Sequence, residues 1–405
     1  MIKNLTDVRG IKAWGAHIGI KSKRRDLAII YSSQPANAAA VFTRNVVVAE
    51  PIKLARQTIK GGVIQAFVVN AGNANACTGE QGRQGAVAMQ EAAAEALNLN
   101  KDHVLIASTG IIGEPFPTEK VVSGIPEAAK KLTSRQLGGN MAANAIMTTD
   151  TFAKEGFVSF KIGGKEINMG GIAKGSGMIH PNMGTMLGFL VSDIAISSEL
   201  LDKALKEVTN ETFNMITVDG DTSTNDMVGI MCNGMAGNPE ITEEGSDYDK
   251  FKANLLKVCT HLAKMIVSDG EGATKFVEYT VKNAPSAEEA RQIVRTISDS
   301  SLVKTAIFGR DPNWGRIIAA AGRSGVQFDP DVLDLYIGTG TSSSGFVQIL
   351  EKSQPTEHNR TQVKKKMRAS QIKVLLDMNQ GEAEATGWGS DFSYDYVRIN
   401  AEYTT

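Results

Sequence analysis

The sequence has little cysteine and histidine, and its charges nearly cancel. Its 405 residues include three cysteines and five histidines, without the paired spacing of a zinc site or a disulfide framework. Lys and Arg total 43 against 44 Asp and Glu, so a net charge of −1 gives no support for a nucleic-acid or membrane-surface partner. We therefore expect no metal or other cofactor, no nucleic acid and a reducing, cytoplasmic setting.

Long apolar segments are also missing. No apolar run approaches the roughly 20 residues that a helix needs to cross a bilayer. The N-terminal stretch "MIKNLTDVRGIKAWGAHIG" has no apolar signal core. The sequence thus predicts neither a membrane partner nor secretion.

Strand and helix patterns alternate along a chain that is long enough for two domain cores. Patterns typical of strands occur at 26–32, 62–70, 104–108 and 276–284. Patterns typical of helices occur at 85–99, 197–213, 247–270 and 286–300. This order predicts an α/β or α+β protein of two lobes, with mixed β-sheets layered with helices.

Two further segments are distinctive near the C-terminus. The polar stretch 352–366 is the best candidate for a surface excursion. Alternation of apolar residues at 394–399 favours a final strand that ties the C-terminus into a sheet.

Glycines and hydroxyl-bearing residues cluster in several segments, two of which superficially resemble known ligand-binding loops. "DGEGATK" (269–275) lacks the spacing of a phosphate loop, and "DGDTSTND" (219–226) lacks the glycine and glutamate of a calcium loop. The clusters without such a match are "ASTGIIG" (107–113), "MTTDTFAK" (147–154), "AKGSGMIHPNMGTML" (173–187) and "TVDGDTSTND" (217–226). We assign the last of these no chemistry and expect it to support turns.

Thr185 stands where the turn "HPNMG" meets an apolar strand. A threonine hydroxyl becomes an effective nucleophile when the residue is N-terminal, because its own α-amine, with a pKa of about 7.7–8, serves as the base. Cutting the Gly184–Thr185 bond would create that N-terminus. The small residue before Thr185 permits attack by its hydroxyl, and a strained turn favours it.

The oxyanion of such an attack needs hydrogen-bond donors. The hydroxyl of Thr109 and the backbone N–H of Gly110, at the end of a buried strand, are the candidates. The local pattern alone favours a glycine turn that enters a strand, with Thr185 as an ordinary strand residue.

Nine ordered motifs resemble those of one enzyme family over nearly the whole chain. They are "GIKAWGAHIGIK", "NAGNANACTG", "STGIIGEP", "IMTTDT", "AKGSGMIHPNMGTML", "TVDGDTSTND", "SDGEGATK", "GRDPNWGRI" and "DYVRINAEYTT". The chain resembles the bacterial and fungal ornithine acetyltransferases, also called glutamate N-acetyltransferases, of arginine biosynthesis. The resemblance implies a self-cleaving enzyme of the N-terminal-nucleophile type. It implies an α chain of residues 1–184 and a β chain of residues 185–405, joined as α2β2.

The resemblance also implies the reaction. After cleavage, Thr185 attacks N2-acetylornithine and becomes acetylated, ornithine leaves, and glutamate takes the acetyl group in a ping-pong cycle. Many members of the family have alanine before the threonine, and this chain has Gly184. Both residues are small, so we expect cleavage to survive.

Site residues carry over by motif. The oxyanion pair falls on Thr109 and Gly110. The substrate contacts that the resemblance implies are Thr151, Lys174, Thr185, Glu271, Asn400 and Thr405. Lys174 suits a substrate carboxylate, and Glu271 suits the ammonium of ornithine. His180 is not nominated as a base, because the amine of Thr185 already fills that role.

Three alternatives stay open on the residues alone. An amidase or aminopeptidase with the same nucleophile would use water in place of glutamate as the acceptor. A binding protein without activity would keep Thr185 internal. Some family members also accept acetyl-CoA, and no nucleotide motif in this sequence decides that use.

Overall fold

The computed structural model describes residues 3–180, 186–340, 345–357 and 360–402. Within these ranges the chain forms fifteen β-strands and eleven α-helices in mixed order, which confirms the predicted fold class. The chain divides into two compact units. The first comprises the described residues within 1–175, 181–214 and 222–266, and the second those within 176–180, 215–221 and 267–405.

The strands are β1 (Ile11–Ala16), β2 (Leu27–Phe42), β3 (Val63–Asn73), β4 (Val104–Ile111), β5 (Lys154–Ile162), β6 (Lys165–Lys174), β7 (Leu187–Ser192), β8 (Ile216–Thr217), β9 (Met227–Cys232), β10 (Phe276–Ala284), β11 (Asp334–Gly338), β12 (Phe346–Glu351), β13 (Gln354–Pro355), β14 (Gln371–Asp377) and β15 (Ala383–Ser390).

The helices are α1 (Glu50–Thr58), α2 (Gly79–Leu97), α3 (Thr118–Ala129), α4 (Gln136–Ala145), α5 (Ser198–Glu211), α6 (Ser246–Ser268), α7 (Ala287–Asp299), α8 (Ser301–Phe308), α9 (Trp314–Gly322), α10 (Arg360–Lys366) and α11 (Tyr394–Glu402). Among the described residues, none of these helices combines the length and the apolar character that a membrane crossing requires.

The first unit is built on one mixed sheet. Its strands lie in the order β4-β3-β2-β9-β7-β6-β5, and β1 pairs with β2. The pairs β3–β4 and β7–β9 are parallel, and the other pairs of this sheet are antiparallel.

Both faces of this sheet are buried. Along β3, Phe67 and Val69 belong to one apolar cluster, which includes residues of α1 and α4. Val68 lies between them in the chain and belongs to a second cluster, which includes residues of α2 and α3. Since successive strand residues point to opposite faces, the sheet is a central layer with apolar packing on each side. This explains why its strands read as nearly continuous apolar runs.

The predicted cleavage bond lies in the connection between two neighbouring strands. Strand β6 ends at Lys174, strand β7 begins at Leu187, and these two residues pair in the antiparallel ladder. Gly184 and Thr185 lie outside the described residues, so the two-chain organisation stays a prediction. Strands β6 and β7 both belong to the first unit, whereas residues 176–180 between them belong to the second.

The second unit is built on another mixed sheet, in the order β13-β12-β11-β14-β10-β15-β8. Helix α7 belongs to this unit, lies within the predicted helix 286–300, and begins at a serine cap. The hydroxyl of Ser286 accepts the N–H of Glu289 at 3.2 Å and donates to its carboxylate at 2.8 Å.

The C-terminal strand prediction was wrong. Residues 394–402 form helix α11, and the hydroxyl of Ser393 accepts the N–H groups of Asp395 and Tyr396 at 3.1 and 3.4 Å. Tyr394 and Val397 are 83% and 61% exposed. A serine cap followed by an acidic first turn favours a helix over the strand that the alternation indicated.

Candidate functional site

The end of strand β4 carries the predicted oxyanion pair. Thr109 is buried, and Gly110 has a φ of +136°. A β-carbon on Gly110 would lie 2.3 Å from the carbonyl carbon of Gly72 and 2.5 Å from the nitrogen of Asn73 on strand β3. Only glycine fits this conformation and this close approach. The neighbouring parallel strand therefore fixes the backbone at Gly110.

Lys174 joins two of the predicted functional motifs. Its side chain is buried at the end of β6, and its Nζ donates to Oγ1 of Thr109 at 3.3 Å. A lysine ammonium is a donor only, so Thr109 accepts here and keeps its own proton available for another acceptor. The structure thus brings Thr109, Gly110 and Lys174 together.

A buried aspartate, which sequence reasoning missed, supports Lys174. Oδ1 of Asp150 accepts from Nζ of Lys154 and from the backbone N–H of Gly175, each at 2.7 Å. Its Oδ2 accepts the N–H of Thr148 at 2.9 Å. Asp150 and Lys154 are fully buried, so this is an ion pair without access to solvent.

The charge of Asp150 is stabilised strongly. Burial alone would raise the pKa of this carboxyl, but the cations Lys174 and Lys154 outweigh burial. Together with the hydrogen bonds from Lys154 and Gly175, they lower its pKa to about 2. The carboxylate therefore stays ionised and holds the backbone that follows Lys174.

Thr151, a predicted substrate contact, directly follows Asp150 in the chain and is exposed. The buried Asp150 fixes the segment that carries it. The motif "MTTDTFAK" therefore contains an anchoring carboxylate next to an accessible hydroxyl.

Part of the motif "TVDGDTSTND" supports the oxyanion pair. Nδ2 of Asn225 donates to the carbonyl oxygens of Ala74 and Ser108 at 2.6 and 2.9 Å. The hydroxyl of Thr224 donates to Oδ1 of the same asparagine at 2.5 Å. Since Ser108 precedes Thr109, the buried Asn225 fixes the backbone at the end of β4.

In the second unit, Glu271 and Asn400 form a pair. Nδ2 of Asn400 donates to Oε2 of Glu271 at 2.9 Å and to the carbonyl of Tyr396 at 3.0 Å. The N–H of Glu271 donates to the carbonyl of Ser176 at 3.0 Å. A β-carbon at Gly177 would come within 2.3 Å of the Glu271 carboxyl carbon, so glycine is required there. These contacts bring the two predicted substrate residues together.

A half-buried aspartate, Asp219, holds the chain just before the cleavage motif. The oxygens of Asp219 accept the N–H groups of Met178 and Ile179 at 2.7 and 2.8 Å. The hydroxyl of Tyr396 donates to the same carboxylate at 3.3 Å. Burial raises the pKa of Asp219, and the backbone N–H groups oppose that rise only in part.

His180 has a structural environment. Its Nδ1 lies 3.2 Å from the hydroxyl of Thr217, and its Nε2 lies 3.3 Å from the guanidinium of Arg295. Burial lowers the pKa of its imidazole, and Arg295 adds to that effect, although Asp299 opposes it. The ring thus has partners at both nitrogens, which agrees with leaving it out of the catalytic set.

Gly184, Thr185 and Thr405 lie outside the described residues, so their roles stay predictions. In the part of the chain that the structure describes, no group of three or more His, Cys, Asp and Glu side chains is arranged to hold a metal ion.

Known proteins resemble this chain over almost its whole length. The model of the ArgJ family matches residues 12–405. The arginine biosynthesis bifunctional protein ArgJ of Caldanaerobacter subterraneus is 49% identical over 98% of this chain and 97% of its own length. The protein of the same name from Listeria monocytogenes is 48% identical over 99% of this chain and 98% of its own length.

Solved structures of ArgJ proteins match part of the chain. A crystal structure of the Bacillus halodurans protein is 41% identical, with a TM-score of 0.44, over 45% of this chain and 94% of that one. Ornithine acetyltransferase from Mycobacterium tuberculosis, complexed with ornithine, is 35% identical, with a TM-score of 0.39, over 44% of this chain and 95% of that one. On the family match and the near full-length identity, the chain belongs to the ArgJ family and is an acyltransferase of arginine biosynthesis.

Proposed function

We propose that the chain cuts its own Gly184–Thr185 bond and that Thr185 then carries an acetyl group from N2-acetylornithine to glutamate. The observation that supports this most is the contact of Lys174 with Thr109 at 3.3 Å, beside Gly110. This contact brings the donors Thr109 and Gly110 of β4 close to the cation Lys174 at the end of β6. Lys174 in turn pairs with Leu187, the first residue of β7. Thr185 precedes Leu187 by two residues in the chain.

The first step is cleavage. The hydroxyl oxygen of Thr185 attacks the carbonyl carbon of Gly184, and the carbon–nitrogen bond breaks as the nitrogen takes the proton. Water then hydrolyses the resulting ester, which leaves a carboxylate on Gly184 and a free amine on Thr185. The hydrogen bonds that the N–H groups of Met178 and Ile179 donate to Asp219 support this step, because they fix the backbone that enters the cleavage segment.

The second step is acetyl transfer. The amine of Thr185 takes the hydroxyl proton, and the oxygen attacks the acetyl carbonyl of N2-acetylornithine. Ornithine leaves with the proton, and the amine of glutamate then attacks the acetyl ester. In both half-reactions the hydroxyl of Thr109 and the N–H of Gly110 stabilise the oxyanion, and removal of one such donor typically costs about 10²–10³ in kcat.

The remaining site residues bind the substrates. Lys174 attracts a substrate carboxylate and orients Thr109. The carboxylate of Glu271, oriented by Asn400 at 2.9 Å, suits the side-chain ammonium of ornithine. We assign Thr151 and Thr405 to the same role by the family motif.

Acetyl-CoA is the proposed second acetyl donor, and α2β2 is the proposed assembly of the cleaved chains. The near full-length relatives are named bifunctional proteins, which supports a second activity for this chain as well. Family membership favours acetyl transfer over the alternative in which water is the acceptor.

Cleavage is tested by intact mass spectrometry of the purified protein. We expect two chains, of residues 1–184 and 185–405, and exchange of acetyl from N2-acetylornithine to glutamate. Thr185→Ala should give a single chain without exchange, whereas Thr222→Ala should behave as wild type. A single wild-type chain with full exchange would refute the mechanism, and release of free acetate alone would identify a hydrolase.

A further inference from the structure

The first unit contains a large basic cavity whose ligand the proposed chemistry does not identify. Its volume is about 850 Å³, and it is lined by the chain around Trp14 to Arg25, by helix α3 and by Thr151. Five of its seventeen lining residues are Lys or Arg, and one is Glu. The basic residues are Lys23, Arg24, Arg25, Lys120 and Lys131. We call this cavity the basic pocket.

The positive charge of the basic pocket is not neutralised locally. Among the described residues, none of its five Lys and Arg side chains forms an ion pair, and Glu127 pairs instead with Lys130 at 2.5 Å. Arg24 and Lys120 do contact backbone carbonyls, at 3.3 and 2.9 Å. The whole chain has a net charge of −1, so this concentration of positive charge is local. Such a cavity attracts a multiply charged anion.

The chemistry of the lining identifies the class of anion. Arginine and lysine are the side chains that bind phosphate oxygens best, through charge-assisted hydrogen bonds. Trp14 also lines the cavity and offers an aromatic surface on which a base can stack. A volume of about 850 Å³ lies in the range that holds ligands larger than one amino acid. We propose that the basic pocket binds a phosphate-bearing small molecule of nucleotide size.

The basic pocket adjoins the segment that holds Lys174. Thr151 and Met147 line it, and Asp150, next to Thr151, accepts the N–H of Gly175 at 2.7 Å. The nucleotide is therefore either the carrier part of a coenzyme A thioester, whose acyl arm extends past Thr151, or an effector that acts on this segment. The thioester source rests on the proposed function, but the binding of a nucleotide does not.

Isothermal titration calorimetry tests binding with four probes: coenzyme A, its form without the 3′-phosphate, ADP and inorganic phosphate. The variant is Arg25→Ser with Lys131→Ser. The matched control is Lys161→Ser with Lys165→Ser, which removes two exposed charges from the β5–β6 hairpin of the same unit. Thermal unfolding by circular dichroism verifies that both variants fold.

We expect saturable binding of at least one nucleotide probe, at least about tenfold weaker in the pocket variant and changed less than about twofold in the control. Preference for coenzyme A, with loss of acetyl-CoA-dependent activity in the pocket variant, identifies the thioester. Preference for ADP, with acetyl-CoA use unchanged, identifies an effector. No saturable nucleotide binding, or equal weakening in both variants, overturns the proposal.

Exchange between N2-acetylornithine and glutamate is measured on the same samples. Binding with no exchange in the wild type would refute the proposed function and leave the basic pocket standing. Exchange without nucleotide binding would refute the basic pocket alone.

Discussion

Two aspartates, the buried Asp150 in the first unit and the half-buried Asp219 in the second, hold backbone next to a functional motif and differ in how their charge is balanced. Asp150 holds the N–H of Gly175 and pairs with the fully buried Lys154 at 2.7 Å. Asp219 holds the N–H groups of Met178 and Ile179 and a tyrosine hydroxyl. The pKa of Asp150 is lowered to about 2, and the pKa of Asp219 is raised.

The difference shows what removing a carboxylate from water costs in each setting. The backbone N–H groups and the hydroxyl of Tyr396 do not fully replace the water that Asp219 loses, so its charge is unfavourable in the folded state. At Asp150 the charges of Lys174 and Lys154 more than offset the loss of water. In the buried pair of Asp150 and Lys154, removal of either charge leaves the other without its partner. We therefore expect Asp150 to contribute mainly to the stability of the fold, and Asp219 mainly to the local conformation of the backbone.

The largest effect is expected for Asp150→Asn. This change leaves Lys154 buried without its carboxylate, which typically costs about 3–5 kcal/mol in the free energy of unfolding. Urea denaturation measures the loss. Asp202→Asn is the matched control, because Asp202 forms the same i,i+4 contact with Lys206 at 2.5 Å but on the surface. It should cost about 0.5 kcal/mol or less, and equal losses would contradict the comparison.

The next-largest effect concerns pH: the contributions of Asp150 and Asp219 to the free energy of unfolding should change with pH in opposite directions. Asp150 has a depressed pKa, so its contribution of about 2 kcal/mol is present above its unfolded pKa of about 3.9 and is lost as the pH falls through about 2. Asp219 has a raised pKa, so its contribution is present below about pH 3.9 and is lost as the pH rises through the folded value.

The measurement compares each Asp→Asn variant with wild type by urea denaturation at pH values from about 5 to 2. The penalty of Asp150→Asn should shrink toward acid, and that of Asp219→Asn should grow. Parallel pH curves for the two variants would show that the charges are balanced alike.

A smaller change in stability is expected for Asp219→Asn. The asparagine amide has a single oxygen, so only one of the two backbone N–H groups keeps its acceptor. The free energy of unfolding should therefore fall by about 1–2 kcal/mol. The rate of self-cleavage should fall more clearly, because the backbone at Met178 and Ile179 is no longer fixed. Time-resolved mass spectrometry of freshly synthesised protein gives that rate. Asp221→Asn, at an exposed neighbouring carboxylate, should leave it unchanged.

The smallest effect is expected for Asn400→Ala on the surface of the second unit. Its hydrogen bond to Glu271 is exposed, so stability should change by about 0.5 kcal/mol or less. The KM for N2-acetylornithine should rise a few-fold with little change in kcat, since a bond worth about 1 kcal/mol is lost in binding. Arg398→Ala on the same helix is the control, and an equal rise in KM there would argue against a role for Asn400.

Much of the fold was predictable where one periodicity dominates. The helix at 197–213 appears as α5, and its cap Ser197 accepts the N–H of Leu200. The strand at 26–32 was predicted too short, because Pro35 interrupts the pattern. Strand β2 continues through a register shift between Tyr31 and Ala36 and then pairs with β9. A proline at such an irregularity removes no ladder bond that the sheet needs.

The anchoring residues of the site were harder to predict than its hydroxyls. Asp150 and Asp219 stand inside motifs that the sequence marks, but some of their partners, such as Gly175 and Tyr396, come from distant positions. The signal was an aspartate beside threonine or glycine, which usually indicates a turn. Only the fold shows that Asp150 meets Lys154 in a buried site and that Asn225 reaches the carbonyl before Thr109.

The ladder between β6 and β7 gives cleavage a thermodynamic consequence. Six residue pairs, from Met169–Ser192 to Lys174–Leu187, join the two strands on either side of the predicted cut. Once the bond is broken, this ladder becomes an interface between two separate molecules, and unfolding releases two chains. The melting temperature of the cleaved protein should then rise with protein concentration, because refolding requires two separate chains to associate. In the uncut precursor the same ladder stays within one chain, so its melting temperature should depend less on protein concentration.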